Sequence, residues 1–115
     1  MATFTKAKLS GSTNGRGILV AATATLGTTI HTAHATALDE VWLYAVNTHT
    51  SAVVVTIEFG GVTSPADVIK QSIAVAPSGL VLVCPGLLVT GSVVITAFAG
   101  TTSVIEIFGY THRIA

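Results

Sequence analysis

The chain of 115 residues is long enough for one domain with a real core and too short for two. Half of it is hydrophobic and only 9% is charged, against about 25% in typical soluble domains, so much of its surface is written for something other than water. Its formal net charge is zero, with Lys6, Lys8, Arg16, Lys70 and Arg113 scattered along the chain, which removes the long-range field a nucleic-acid binder needs.

No apolar run reaches the roughly 18 residues of a transmembrane helix before Thr, Ser or Gly interrupts it, so a membrane is not an expected partner. The opening MATFTKAKLSGS places Thr and Lys where an export signal needs a continuous apolar core, and the protein is expected to fold where it is made.

Val, Ile and Thr dominate, residues that pack well on a pleated surface and weaken helices, so an all-β fold is expected. In chain order the predicted strands are Phe4–Leu9, Ile18–Thr23, Thr28–Thr32, Glu40–Val46, Ala52–Phe59, Val68–Val75, Leu80–Cys84, Val93–Ala99 and Val104–Tyr110. NGRG, TLG, NTHTS, GGVTSP, APSG, PG, TG and AGTTS punctuate them with residues that supply a fixed or positive φ. The segment TSPADVIKQ also admits a short helix, with Ser64 as N-cap and Pro65 at the first helical position.

Residues 1–17 read as an N-terminal arm and its GSTNGRG hinge, and deletion of Ala2 to Ser12 is expected to leave the domain folded. Residues 18–115 then hold eight strands, which fits a two-sheet β-sandwich of jelly-roll type better than one open sheet. An up-and-down sandwich or small barrel is the structural alternative. No 20 to 50 residue repeat indicates a solenoid.

Patterning within the strands is unusual. Ala52–Phe59 alternates as a half-buried strand should, with Val53, Val55, Ile57 and Phe59 opposing Val54, Thr56 and Glu58. In DEVWLYAVN, however, Val41, Leu43 and Ala45 oppose Trp42, Tyr44 and Val46, and in Val93–Ala99 both faces are again apolar. A monomer's core meets only one face of a surface sheet, so the second face is expected to meet a sister subunit, an arm or another protein, unless a loop folds back to cover it.

Catalytic chemistry is thinly represented. His31 and His34 in HTAH invite a metal reading, but three residues apart on a strand they point to opposite faces with no nearby Cys or carboxylate to complete a set. His49 falls in the NTHTS turn. Ser, His and Asp occur without a nucleophile elbow to gather them. Asp39 with Glu40, or Glu58 with Glu106, would be glycosidase carboxylates only at a separation that sequence does not fix. GSTNGRG lacks the Lys-Ser/Thr ending of a phosphate loop and precedes a strand. Cys84, the single cysteine, sits in LVLVCPG and reads as a buried structural thiol. The protein is therefore expected to be no enzyme and to carry no cofactor and no metal.

The run KLSGSTNGRGI, the stretch LDEVWLYAVN, the block SGLVLVCPGLLV and the ending IFGYTHRI resemble small structural proteins of tailed bacteriophages, in particular short virion proteins that decorate or cement the capsid. Some of these are jelly-roll sandwiches assembled as trimers. The resemblance implies a subunit made in the host cytoplasm that binds the outer capsid surface, with its own copies and the major capsid protein as partners. A neck or tail ring subunit shares these features, and a carbohydrate-binding sandwich using Trp42 and Tyr44 as a platform is an alternative of another class. The interface candidates are Lys6, Lys8 and Arg16 of the arm, the aromatic Trp42, Tyr44 and Phe98, and the terminal His112 and Arg113, which lie beyond the last predicted strand.

Overall fold

The computed structural model describes residues 3–75 and 79–115; the start of the arm and most of the APSG turn fall outside them. Nine strands run in the order β1 Phe4–Lys8, β2 Ile18–Val20, β3 Thr28–Thr32, β4 Leu38–Asn47, β5 Val53–Phe59, β6 Val68–Ile73, β7 Val81–Val89, β8 Val94–Ala99 and β9 Ile105–Ile114. Each predicted strand has its counterpart, and no described residue is helical. In TSPADVIKQ a turn over Ser64–Asp67 leads directly into β6, so the strand alternative holds there.

The ladders nest like one long hairpin: β5 pairs β6, β4 pairs β7, β3 pairs β8 and β2 pairs β9, all antiparallel. Rolling that hairpin brings β4 beside β9 and β5 beside β8. Two sheets result, one ordered β1-β9-β4-β7 with β2 also on β9, the other β3-β8-β5-β6. This is a jelly-roll sandwich, with chain crossings between sheets at most of its corners.

The β-branched inner faces make the core. Val41, Leu43 and Ala45 of β4 and Ile105 and Ile107 of β9 face Val53, Val55 and Ile57 of β5 and Ile95, Ala97 and Ala99 of β8, all buried. Each large side chain removed from water contributes about 1.5–3 kcal/mol. Cys84 belongs to this core, its Sγ 3.3 Å from the Val41 carbonyl, and burial pushes its thiol pKa up.

Two strands run four or more residues past the ends their sequence suggests. The PG pair reads as a turn, yet β7 continues through Pro85 and Gly86 to Val89. It is an edge strand, where the missing Pro N–H is tolerated, and the ladder to β4 shifts register at two places nearby. Similarly β9 extends through Thr111, His112 and Arg113, which therefore lie within the last strand and not beyond it. Polar residues are accommodated there because each has a partner: Thr111 Oγ1 donates to Ala7 O at 3.5 Å, and those of His112 and Arg113 are described below.

Residues 3–17 are built into the sandwich edge. β1 pairs with the Tyr110–Ile114 half of β9, and β2 continues along the same edge over Ile105–Ile107. Between them the chain leaves sheet one: Leu9 enters the core at 1% exposure, and Gly11 N–H donates to Ile30 O of β3 at 2.9 Å. Thr32 N–H donates to Ser10 Oγ at 2.6 Å. The segment set apart as an arm thus ties the free edge of one sheet to the free edge of the other.

Candidate functional site

In β4 the side chains of Asp39, Val41, Leu43, Ala45 and Asn47 are buried, whereas Glu40, Trp42, Tyr44 and Val46 are half-buried on the outside of the five-stranded sheet. Cross-strand partners share a face, so the register assembles a surface around them. Trp42 lies between Tyr110 and Pro85, and Tyr44 between Phe108 and Leu82. Glu40 lies between His112 and Leu88, and Phe4 and Leu19 extend the surface onto β1 and β2. Phe4, Leu19, Leu82 and Leu88 are between 43% and 63% exposed. Of the chain's aromatic residues only Phe59 and Phe98 lie elsewhere, so the enrichment on this one face is a property of the fold.

The aromatic surface is ordered from beneath and within. Trp42 stacks on Tyr110 with centroids 6.4 Å apart and planes 13° from parallel, and its Nε1–H donates to Glu40 Oε1 at 2.8 Å. Gly86, at φ +74°, admits the indole: a Cβ there would approach Trp42 Cζ2 to 2.7 Å. Gly17 does the same for Phe108, whose Cζ would stand 2.7 Å from an added Cβ. Lys6 Nζ sits 5.5 Å from the Tyr110 ring centroid, within cation–π range. Phe4 and His112 contact each other with centroids 6.2 Å apart.

Of the eight interface candidates, Lys6, Lys8, Trp42, Tyr44 and His112 are brought together on this face. Arg16 lies beside it, lining a cleft of about 550 Å³ with Thr13, Leu19, Glu106 and Phe108. Two candidates are placed differently. Phe98 is half-buried on the opposite sheet, across from Thr56. Arg113 turns to the inner side of β9, where Nε and Nη2 donate to Asp39 Oδ1 and Oδ2 at 2.7 and 3.0 Å. Its guanidinium is engaged within its own chain.

Asp39 is the centre of a buried polar junction. Besides Arg113, its Oδ2 accepts from His31 Nε2 at 2.8 Å and from His34 N–H at 3.3 Å. His31, 1% exposed, accepts Ser10 N–H at Nδ1, 3.0 Å away. Ser, His and Asp do therefore converge, but His31 Nδ1 accepts the serine's backbone N–H and not its Oγ–H, so the imidazole is not placed as a base for that hydroxyl, and the three residues hold strands together. His34 has an exposed side chain and caps its own turn. Among the described residues no group of three or more His, Cys, Asp or Glu is placed to hold a metal ion. The carboxylates considered as pairs are separated, with Asp39 inside and Glu40 outside one sheet, and Glu58 and Glu106 on different sheets.

A second buried carboxylate pins a loop. Glu58, 1% exposed, accepts from Thr25 Oγ1 at 2.6 Å, Gly27 N–H at 2.8 Å and Thr96 Oγ1 at 2.6 Å, fastening the 21–27 loop over β5 and β8. Burial alone would raise both carboxyl pKa values, but the hydrogen bonds outweigh it. Glu58 is lowered, and Asp39 falls to about 2 under the bonds from Arg113, His31 and His34. As pH falls the unfolded chain therefore binds these protons first. Their contribution to stability is full above about pH 5 and is lost progressively as pH drops toward about 2, with Asp39 alone worth on the order of 2 kcal/mol. Urea midpoints measured across that window are expected to decline, and in Asp39→Asn the decline is expected to be smaller.

Sequence reasoning singled out the histidines and Asp39 separately but not their junction. The partners lie 8, 21 and 74 positions apart, and only the rolled hairpin brings them together. The fold and surface define a jelly-roll sandwich with an aromatic outer sheet face that also carries Lys6, Lys8, Glu40 and Glu106. No protein-family model, no curated protein and no solved structure matches the chain.

Proposed function

We propose that the protein is a non-enzymatic virion structural subunit that binds the outer surface of a phage capsid and stabilises the shell. The observation that carries this reading is the outer face of the five-stranded sheet, where Trp42, Tyr44, Phe108, Tyr110 and Phe4 gather with exposed leucines. The resemblance of the sequence to capsid decoration proteins supplies the context and the expectation of a trimer.

Size supports a contact surface. β4 and β9 are ten residues long, about 33 Å at a strand's rise, and four strand positions at about 4.8 Å make a face of roughly 600 Å². That approaches the ~800 Å² per partner of a stable protein interface. Burying it adds hydrophobic stabilisation at about 25 cal/mol per Å² of apolar area, much of it offset by lost freedom and desolvation.

Sedimentation at micromolar concentration tests the reading, with a stable monomer counting against it. Tyr44→Glu and Leu82→Glu place charge on the face without touching the core. Each is expected to abolish self-association or capsid binding, by tenfold or more in affinity on the order of 1.4 kcal/mol or above, while leaving the unfolding midpoint nearly unchanged. A six-fold or twelve-fold ring in electron micrographs of the isolated particle would favour a neck or tail subunit instead.

A further inference from the structure

The HTAH pair remains unused by the assembly reading, yet its two imidazoles share one feature. Each uses Nδ1 to accept backbone N–H: His31 from Ser10 at 3.0 Å, and His34 from Thr36 at 3.1 Å and Ala37 at 2.9 Å. A ring nitrogen that accepts a hydrogen bond carries no proton. With Nδ1 bare, the His31 proton sits on Nε2 and is donated to Asp39, so the buried ring is the neutral tautomer.

We propose that His31 is a proton-operated latch on the N-terminal strand: a proton taken up from solvent at Nδ1 converts the acceptor for Ser10 N–H into an opposing donor and shifts the segment Phe4–Ser12 toward release. The latch stands independently of the virion reading. In the released state Nδ1–H faces water while Nε2–H keeps its bond to Asp39, so that state binds the extra proton more tightly and mild acid favours it.

The surroundings fit this role. On the β4 side His31 faces Asp39, and through that carboxylate Arg113 of β9. On β8 its cross-strand partner is the apolar Ile95, and the N-terminal segment presents Ser10 N–H. Asp39, held at about 2, stays ionised wherever an imidazole titrates and keeps its grip on Arg113. His34 reaches the same carboxylate through its own backbone N–H. Release uncovers the Tyr110–Ile114 edge of β9 and the β3 edge at Ile30 and Thr32. Unpaired strand edges accept strands from other chains.

Amide hydrogen exchange of the intact protein, corrected for the intrinsic effect of pH, tests the latch. Between about pH 7.5 and about pH 5.5, where histidine changes charge, protection of Ser10, Gly11 and the β1 amides is expected to fall on the order of tenfold, with Val55 and Ile57 unchanged. His31→Gln, whose carboxamide accepts one N–H and donates to Asp39 without titrating, is expected to abolish the fall. Equal protection of the wild-type segment at both pH values overturns the proposal, as does a fall that persists in His31→Gln. Should that variant not fold, the imidazole nitrogen shifts of the wild-type protein decide. Protonation of His31 Nδ1 in step with lost protection supports the latch, and loss of protection with the ring still neutral overturns it.

Discussion

Replacing Asp39 with alanine is expected to cost about 3–5 kcal/mol of folding stability, the range for removing one partner of a buried ion pair. The carboxylate is fully buried and accepts four hydrogen bonds, from two Arg113 nitrogens, His31 Nε2 and His34 N–H. Alanine leaves the His31 N–H with no acceptor in the interior and the guanidinium without its counterion. Domains of this size commonly have only about 5–15 kcal/mol in total, so the variant is expected to be poorly folded or to unfold at much lower urea, measured by circular dichroism. Arg113→Ala is expected to cost less, because the guanidinium is 29% exposed and water replaces part of what it loses.

Deleting residues 3–12 is expected to destabilise the sandwich itself, by several kcal/mol, and to promote association. Leu9 alone is buried at 1% exposure, and loss of a buried leucine side chain costs about 2–5 kcal/mol. The deletion also removes the β1 ladder, the Gly11 bond to Ile30, the Ser10 bond from Thr32 and the donor for His31 Nδ1. Two strand edges then lie open side by side. Thermal unfolding and light scattering of the truncated protein check both effects. A truncated chain with the full unfolding midpoint would mean that the segment contributes nothing to the fold.

These two experiments act where tertiary structure departs from what local pattern conveys. The sequence leaves Arg113 outside the last strand because THR is polar and follows an apolar run. In the fold Thr111 is wholly buried, Arg113 has Asp39, and the strand runs on beside β1. Phe98 resembles Trp42 and Tyr44 in its strand context, yet the roll of the hairpin puts it on the other sheet. No spacing rule reports that separation, because it depends on which ladders close.

By itself the sequence determined the nine strands, the all-β class, the burial of Cys84 and the doubly apolar character of DEVWLYAVN. These follow from residue-type preferences and a period of two, which act over a few neighbours. Only the tertiary structure decided that Val41, Leu43 and Ala45 face the core while Trp42 and Tyr44 face outward beside Tyr110 and Phe108, that residues 3–17 close the sandwich edge, and that Ser10, His31, Asp39 and Arg113 meet. Those outcomes rest on strand pairing across as many as 110 positions, from Phe4 to Ile114. Such pairing is selected by the packing of the whole core, which no local stretch encodes.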